Sequence, residues 1–192
     1  MSLIPLLGGR VFVFKDTREQ PPHVFKCQLE GEQCQGRTKT GARCRRRTVK
    51  YLPKCFQHLK SEDGLVVKRS GIPGAGDGLW TTRARKRDEK IVRYTGEVLN
   101  DVELQERYPG DSTAPYVVQQ KRGRYVDAAC ERGTGAYVNH KSYTQSNCRW
   151  LTNQAGQVWI VAKQNIPADT ELFVSYGSDY RLHEQGVSHT TK

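Results

Sequence analysis

The segment between Gly135 and Gly177 constrains the fold of this chain more than any other part of the sequence. Its two polar motifs, GAYVNH at 135–140 and ELFVSYG at 171–177, both lie on β-prone backbone. Between them, residues 157–163 predict a buried strand. Taken alone, an Asn-His pair is typical of a loop, and a Tyr before a Gly is typical of a strand end. The segment therefore predicts a mainly β domain. Neither motif identifies a function by itself, so a function has to be inferred from the order of motifs along the whole chain.

The remaining motifs occur in a fixed order along the chain. A Gly-rich segment, GAGDGLW at 74–80, precedes YTGE at 94–97, and an Ile-Pro-Ala turn at 166–168 separates the two motifs described above. Each motif alone is weak evidence for a family. The ordered series of motifs over about residues 64–180, however, resembles the SET-domain protein lysine methyltransferases. The resemblance implies a mainly β fold of several small sheets of short strands. It also implies a knot-like threading of the C-terminal strand, which is an exception to the usual rule against knots.

S-adenosyl-L-methionine is the cofactor that the resemblance implies. A Gly-rich loop also suggests a dinucleotide site, but residues 79–82 continue as a strand where a Rossmann fold needs a helix, which disfavours that alternative. Glycine lets the backbone approach a ligand closely, and the resemblance places this loop along the cofactor. It also implies that the Asn139 side chain and the His140 backbone hold the two ends of the cofactor. The implied cofactor-binding residues are Ala75, Gly76, Asp77, Gly78, Trp80, Tyr116, Asn139 and His140.

Two tyrosines are the catalytic residues that the resemblance implies. Methyl transfer from a sulfonium to a lysine amine needs alignment, a dry channel that lowers the pKa of the lysine, and oxygen atoms aimed at the reacting groups. The resemblance places Tyr176 near the methyl group and the amine, and Tyr94 in the wall of the channel. The alternative is that both are ordinary strand tyrosines. Two departures from the family pattern leave questions open: the longer loop at 141–146 leaves the geometry of the substrate-side loop open, and the absence of cysteine after residue 180 leaves the closure of the channel open.

The basic charge of the chain is concentrated in its first third. The formal net charge is +11, of which residues 1–69 carry +9 and residues 70–192 carry +2. Such asymmetry favours contact with a polyanion near the N-terminus slightly over a merely solvating face. No apolar run approaches the roughly 20 residues that span a bilayer, so no membrane partner is expected.

Residues 34–60 predict a small metal-stabilised module. This window holds nine Lys/Arg and no acid, so it buries too little apolar surface to fold alone. A Cys-x-x-His pair with two further cysteines fits a structural Zn²⁺ site, and the pattern resembles a zinc-knuckle-like module. The alternative is a set of unrelated thiols. The predicted ligands are Cys34, Cys44, Cys55 and His58, with Cys27 a poorer candidate.

The motifs divide the chain into three parts. Six cysteines without a signal peptide indicate a reducing compartment. A β-prone run at 9–14 predicts a short strand, and further strands are predicted at 64–69, 90–94, 116–118 and 124–127. Asn100 predicts the N-cap of a helix that ends near Arg107. The expected parts are a basic N-terminal region at 1–62 with its zinc module at about 34–58, a SET catalytic domain at 63–180 and a short tail at 181–192.

The predicted function is the transfer of a methyl group from S-adenosyl-L-methionine to a lysine of a protein. A histone tail or nucleosome is the expected substrate and the nucleus the expected location. Five acids against one arginine between Glu97 and Asp111 suit a groove for a basic peptide, and the basic stretch 36–54 suits contact with DNA phosphates. The alternatives are methylation of a non-histone protein and a non-catalytic chromatin or nucleic-acid adaptor on a SET scaffold. A plain nucleic-acid-binding protein fits less well because residues 70–192 are nearly neutral.

Overall fold

The computed structural model describes residue 27, residues 30–109 and residues 114–177. Within these residues the backbone forms thirteen short strands and two short α-helices, together with one 3₁₀ turn and one π-helical turn. The strand predicted at 9–14 and the tail at 181–192 lie outside this part of the chain. Among the described helices, none is long and apolar enough to cross a membrane.

The N-terminal module is a two-stranded ribbon followed by a short helical segment. β1 (Gly31–Gln33) pairs antiparallel with β2 (Arg47–Val49), and α1 (Phe56–His58) continues into a π-helical turn (Leu59–Asp63). The buried apolar cluster of the module consists of three cysteine side chains, which are Cys34, Cys44 and Cys55. Such a small core stabilises a fold too weakly, so the module needs another source of stability, as its composition predicts.

Beyond the module, the chain forms eleven further strands, one helix and one 3₁₀ turn. The predicted mainly β fold is confirmed, and the strands predicted at 64–69, 90–94 and 124–127 agree with the structure to within one residue. The elements are β3 (Leu65–Arg69), β4 (Asp77–Thr81), β5 (Lys90–Tyr94), β6 (Glu97–Asn100), α2 (Asp101–Arg107), β7 (Val117–Lys121), β8 (Arg124–Asp127), the 3₁₀ turn (Thr134–Tyr137), β9 (Asn139–His140), β10 (Cys148–Thr152), β11 (Val158–Ala162), β12 (Thr170–Glu171) and β13 (Phe173–Val174).

Three antiparallel sheets enclose the main core. Their strand orders are β12-β4-β3, β10-β11-β5 and β6-β8-β7. The middle strand β11 reads VWIVA and is buried at four of its five positions, because neighbouring elements cover both of its faces. Fully buried aliphatic side chains contribute about 1.5–3 kcal/mol each to stability. The core includes Leu65, Leu79, Ile160, Leu172 and Val174.

Helix α2 begins and ends as the sequence predicts. The side chain of Asn100 accepts hydrogen bonds from the N–H groups of Val102 and Glu103, and the Glu103 carboxylate accepts one from the N–H of Asn100. This capping box satisfies backbone donors that the first turn would otherwise leave unpaired. Leu104 is the buried residue of the helix and packs with Tyr108 in a second, smaller core.

The C-terminal end of the domain is held by two parts of an earlier segment. β13 pairs in parallel with β9. The side chain of Asn147 donates to the carbonyl of Glu171 (2.7 Å) and accepts from the N–H of Phe173 (2.8 Å). Residues 171–174 are therefore bound both by a strand and by the loop that follows it. This is the threaded arrangement that the resemblance implies.

Candidate active site and metal site

Tyr176 is held against β9 by two hydrogen bonds. Its backbone N–H donates to Nδ1 of His140 (3.0 Å), and its hydroxyl donates to the carbonyl of Val138 (2.6 Å). The rings of Tyr176 and His140 have centroids 5.2 Å apart. The parallel pairing of β9 with β13 produces this arrangement, because Tyr176 comes two residues after the end of β13. The hydroxyl hydrogen is committed to a carbonyl, so the oxygen acts toward other groups as an acceptor.

His140 is a neutral imidazole in this arrangement. Burial lowers the pKa of His140 below its ordinary value. Its Nδ1 accepts the N–H of Tyr176, so the proton of the neutral ring is on Nε2. Protonation of Nδ1 would remove that acceptor. The backbone position of Tyr176 therefore depends on the neutral form of His140.

Tyr94 lies at the end of β5 and is fixed from two sides. Its hydroxyl donates to the carbonyl of Tyr116 (2.7 Å), and its ring packs edge-on against Trp150 with 5.3 Å between centroids. Burial, with a smaller contribution from Tyr176, raises the pKa of Tyr94 well above its ordinary value. Tyr94 therefore remains a neutral phenol at physiological pH and can orient a ligand, but it does not act as a base.

Trp150 connects the two predicted catalytic tyrosines. Besides its contact with the ring of Tyr94, its indole N–H donates to the carbonyl of Ser175 (3.0 Å), the residue before Tyr176. Sequence analysis did not identify Trp150, because no local motif marks it. Only the pairing of β10 with β11, and of β11 with β5, brings it beside Tyr94.

Arg132 is a second residue that sequence analysis missed. Its guanidinium carbon lies 3.9 Å from the ring centroid of Tyr116, and its terminal nitrogen donates to the carbonyl of Ala129 (3.3 Å). A cation over an aromatic face is attracted by the negative face of the ring. Arg132 therefore places a positive charge over the ring of Tyr116, whose carbonyl accepts the Tyr94 hydroxyl.

Asn139 and Glu171 tie the Gly-rich loop to β9 and β12. The side-chain amide of Asn139 donates to the carbonyl of Asp77 (3.1 Å) and to the carboxylate of Glu171 (3.2 Å). The buried Glu171 carboxylate also accepts from the Ser70 hydroxyl (2.7 Å) and from the N–H of Gly71 (2.8 Å). Sequence analysis placed Glu171 only within a motif. In the structure it holds the start of the loop connecting β3 to β4, and Asn139 holds the end of that loop at Asp77.

Two features of the Gly-rich loop fit the cofactor that the resemblance implies. A Cβ at Gly74 or Gly76, where φ is +80° and +73°, would meet no atom within 4 Å, so the backbone borders open space. A Cβ at Gly78 would lie 2.2 Å from the Glu171 carboxylate, so only glycine fits there. The buried indole N–H of Trp80 has no acceptor among the described residues. An open backbone and an orphaned donor both suit a ligand that carries acceptor atoms.

The structure separates the eight predicted cofactor-binding residues into three places. Ala75, Gly76 and Asp77 follow one another at the end of the loop, and Gly78 and Trp80 share a face of β4, because alternate residues of a strand point the same way. Lys68 covers the Trp80 ring at 4.0 Å from its centroid. The other predicted positions are Asn139 and His140 on β9 and Tyr116 beside Tyr94.

Four side chains of the N-terminal module converge in a way that suits a tetrahedral metal. The ligand atoms of Cys34, Cys44, Cys55 and His58 all lie within 4.8 Å of one another. Nδ1 of His58 is 3.4 Å from Sγ of Cys34 and from Sγ of Cys55. Sulfur and nitrogen ligands of a tetrahedral Zn²⁺ lie about 3.6 Å apart, given ordinary bond lengths. The donor set therefore fits Zn²⁺.

Backbone groups orient these ligands. Nε2 of His58 donates to the carbonyl of Arg37 (2.8 Å), which leaves Nδ1 available for a metal. The N–H groups of Gly36 and Cys55 donate to Sγ of Cys34, at 3.3 and 3.2 Å, and fix its position. A Cβ at Gly36 would lie 2.3 Å from the His58 ring. Glycine is therefore required beside the histidine ligand.

Two contacts join the N-terminal region to the loop that carries Arg132. A hydrogen bond with Glu131 raises the pKa of Tyr51 above its ordinary value, and Cys27 forms a disulfide with Cys130. Sequence analysis expected thiols in a reducing compartment and did not predict this bridge, because the two cysteines are 103 positions apart. Its judgement that Cys27 is a poorer metal ligand agrees with the structure, where Cys27 is outside the cluster.

Comparison with known sequences gives one matching family and several relatives. A sequence model of the SET domain matches residues 76–177, which is more than half of the chain. Mouse (Mus musculus) histone-lysine N-methyltransferase NSD3 is 28% identical over 142 residues, which cover 70% of this chain and 10% of that protein. Drosophila melanogaster histone-lysine N-methyltransferase Set8 is 30% identical over 124 residues, which cover 60% of this chain and 18% of that protein. The chain thus spans less than a fifth of either relative.

Solved structures resemble the same part of the chain. The structure of ctPRC2 in an autoinhibited conformation bound to S-adenosylmethionine matches with a TM-score of 0.50 at 25% identity. It covers 61% of this chain and 15% of that chain. The crystal structure of the Chaetomium thermophilum polycomb repressive complex 2 matches with a TM-score of 0.50 at 25% identity, covering 60% and 15%.

Proposed function

The chain belongs to the SET-domain family, and from this premise we propose that it transfers a methyl group from S-adenosyl-L-methionine to the side-chain amine of a lysine in a protein. The observation that carries the proposal is the joint fixation of Tyr176 and Tyr94. Both hydroxyl hydrogens are committed to backbone carbonyls, and Trp150 contacts both segments. Two preoriented acceptor oxygens are what an in-line transfer to an amine requires.

The proposed cofactor site is the open region beside the Gly-rich loop. When bound, S-adenosyl-L-methionine supplies an activated methyl group on a sulfonium. Ala75, Gly76, Asp77 and Gly78 offer it a backbone that borders open space, and Trp80 offers a buried donor that lacks an acceptor among the described residues. Tyr116, Asn139 and His140 complete the proposed binding set.

The two tyrosines align the lysine rather than deprotonate it. Because each hydroxyl donates to a carbonyl, each oxygen can accept an N–H of the incoming amine and hold its lone pair in line with the methyl group. The raised pKa of Tyr94 excludes it as a base at neutral pH. Burial disfavours the charged form of the lysine, so the amine loses its proton to solvent as it enters the channel.

We further propose a histone tail or nucleosome as the substrate and the nucleus as the location. Two relatives bear the name histone-lysine N-methyltransferase. A cleft of about 570 Å³ beside α2 is lined by three acids, Glu97, Glu103 and Glu106, and by Arg107, which pairs with Glu97, and the remaining excess of acid suits a basic peptide. Methylation of a non-histone basic protein uses the same site and is the second candidate.

The N-terminal part of the proposal concerns zinc and DNA. Zn²⁺ held by Cys34, Cys44, Cys55 and His58 stabilises the module, and the basic stretch 36–54 contacts DNA phosphates. The proposed boundaries are 1–62 for the basic region with its module, 63–180 for the catalytic domain and 181–192 for the tail. The π-helical turn that ends at Asp63 supports the first of these boundaries.

The deciding experiment measures methyl transfer from labelled S-adenosyl-L-methionine to nucleosomes, free core histones and an unrelated basic protein. The variant is Tyr176→Phe, and Tyr143→Phe is the control because the Tyr143 side chain is exposed to solvent. We expect Tyr176→Phe to lower kcat by about 10²–10³-fold, as loss of one preoriented polar group does. Cofactor binding, measured by calorimetry, should stay within about twofold of wild type, which is under 0.5 kcal/mol.

Each outcome distinguishes one candidate. Labelling of one histone that disappears in Tyr176→Phe supports the proposal, and mass spectrometry then identifies the lysine. Labelling of the unrelated protein alone supports the non-histone candidate. Cofactor binding without transfer to any substrate tested would support a non-catalytic adaptor, and equal activity of Tyr176→Phe and wild type would overturn the assigned role of Tyr176.

A further inference from the structure

The zinc module presents seven cations that no described carboxylate neutralises. The described ion pairs of residues 34–60 involve Lys50, Lys54 and His58. The side chains without such a pair are all exposed and are Arg37, Lys39, Arg43, Arg45, Arg46, Arg47 and Lys60. A Zn²⁺ with three thiolates adds about one negative charge, so the surface remains strongly positive.

Neutral acceptors hold several of these cations in place. Arg37 donates to the carbonyl of Gly41 (2.9 Å), and Arg47 donates to the carbonyl of Gly31 (2.7 Å). Arg43 donates to the carbonyl of Gln33 (3.1 Å). These bonds reduce the rotamer entropy that each side chain would lose on binding, and they leave the charge uncompensated. These arginine side chains are therefore preoriented to bind an anion.

An exposed aromatic ring lies on the same surface. Phe56 is 69% exposed and follows the metal ligand Cys55, so the metal site fixes its backbone. The guanidinium of Arg46 lies 5.4 Å from the Phe56 ring centroid and is anchored by the side chain of Gln57. Phe56 is not part of the buried cluster of the module. The ring thus contributes little to folding, and its accessible area suits a planar partner.

A second exposed cation–aromatic pair serves as a comparison for the pair of Arg46 and Phe56. Tyr143 is also 69% exposed, and the ammonium of Lys163 lies 3.8 Å from its ring centroid. The pair at Phe56 differs because its cation, Arg46, lies in the sequence between two further exposed arginines, Arg45 and Arg47, that have no described ion pair.

We propose that Phe56 and Arg46 form a stacking site for an unpaired base, so that the zinc module prefers single-stranded nucleic acid over duplex DNA. The neighbouring cations contact the phosphates of the same strand. This inference refines the DNA contact proposed above and does not depend on methyl transfer. Aromatic rings stack on any base, whereas bases in a duplex are already stacked on each other and offer no free face.

The test measures binding of the full zinc-loaded chain to a fluorescent 20-nucleotide single strand, as DNA and as RNA, and to a duplex of the same length. Polarisation is recorded at several salt concentrations, and zinc content is measured for every variant. The variants are Phe56→Ala, Arg45→Gln and the matched control Tyr143→Ala. Comparing the DNA and RNA strands shows which sugar the site accepts.

We expect tighter binding to the single strand and a slope of log Kd against log salt of about 2–4, as contacts with several phosphates produce. Phe56→Ala should weaken single-strand binding about tenfold without changing the slope, since stacking does not release counterions. Arg45→Gln should lower the slope and weaken binding to the single strand and to the duplex by the same factor. Tyr143→Ala should leave both affinities unchanged.

Two results would overturn the inference in distinguishable ways. If the chain binds the duplex as tightly as the single strand, and Phe56→Ala does not weaken that salt-dependent binding, the stacking site is refuted and the phosphate contact stands. If the chain shows no salt-dependent binding to the single strand or to the duplex, both the stacking site and the phosphate contact are refuted. The proposed methyl transfer is unaffected, because that reaction is measured separately.

Discussion

At the scale of single residues, His140 links protonation to the position of Tyr176. Burial lowers the pKa of His140, and its Nδ1 accepts the backbone N–H of Tyr176. As the pH falls below about 6.5, the unfolded chain binds a proton at this histidine before the folded chain does. The stability contributed by neutral His140 is therefore complete above that pH and is lost as the pH falls toward the folded pKa.

This reasoning predicts the behaviour of His140→Asn. The Asn side chain places an oxygen acceptor near the position of Nδ1 and does not titrate. Between about pH 7.5 and about pH 5.5, the free energy of unfolding should fall more steeply for wild type than for His140→Asn. Denaturant unfolding at both pH values measures this difference. Parallel losses in the two proteins would contradict it, because other histidines are common to both.

Gly36 is a second residue whose role rests on contact geometry. A Cβ there would lie 2.3 Å from the His58 ring, whereas a Cβ at Gly41 would meet no atom within 4 Å although φ is +82°. We predict that Gly36→Ala displaces His58 and lowers zinc affinity about 10–100-fold. Gly41→Ala adds the same methyl group with only backbone strain of about 1–2 kcal/mol. Titration with a zinc-competing chelator compares them, and equal affinities would refute the steric argument.

At the scale of elements, Asp127 holds helix α2 to the β6-β8-β7 sheet. Its fully buried carboxylate accepts from Arg107 (2.9 Å), from the Tyr108 hydroxyl (2.9 Å) and from the N–H of Ala129 (2.9 Å). Arg107 also pairs with Glu97 on β6. A helix of seven residues is marginal alone, so these bonds and its capping box determine its position.

Asp127→Ala should therefore destabilise the domain strongly. Removing this buried carboxylate should cost about 2–5 kcal/mol, because the Tyr108 hydroxyl and the Ala129 N–H lose this acceptor and Arg107 keeps only its pair with Glu97. Glu106→Ala, on the exposed face of the same helix, should change stability by less than about 0.5 kcal/mol. Thermal and denaturant unfolding measure both variants. A loss below about 1 kcal/mol for Asp127→Ala would show that the network does not anchor α2.

At the scale of the whole molecule, two structural units differ in what stabilises them. Residues 65–177 have a core of aliphatic and aromatic side chains, whereas the described core of the module is three cysteines. The units meet where Tyr51 bonds with Glu131, and the disulfide joins Cys27 to Cys130. Loss of the metal should therefore unfold one unit and leave the other folded.

Limited digestion with trypsin tests this difference directly. After treatment with a strong zinc chelator, we expect cleavage at the arginines and lysines of 37–54 to accelerate at least about tenfold, while residues 65–177 stay protected. Readdition of zinc should restore protection of the module. Mass spectrometry of the fragments identifies each site. Unchanged cleavage within 37–54 would mean that the module does not depend on zinc.

Local patterns were sufficient to predict much of the fold. The strands β3, β5 and β8, the N-cap of α2 and the clustering of the Cys/His side chains all follow from residues within a few positions or one short window. Their energies arise from backbone preference, alternation of apolar side chains and ligand chemistry, which the sequence displays directly. The strand β10 was not predicted, because an irregular loop precedes it.

The sequence by itself determined the family, the mainly β character and the identity of the polar residues available for chemistry. Only the tertiary structure decided how these residues are held: Trp150 between the Tyr94 ring and the Ser175 carbonyl, Glu171 at the start of the loop, Arg132 over Tyr116 and Cys27 with Cys130. The physical reason is distance along the chain. Each of these contacts joins residues that become neighbours only when separate strands pair, so local sequence preferences do not predict them.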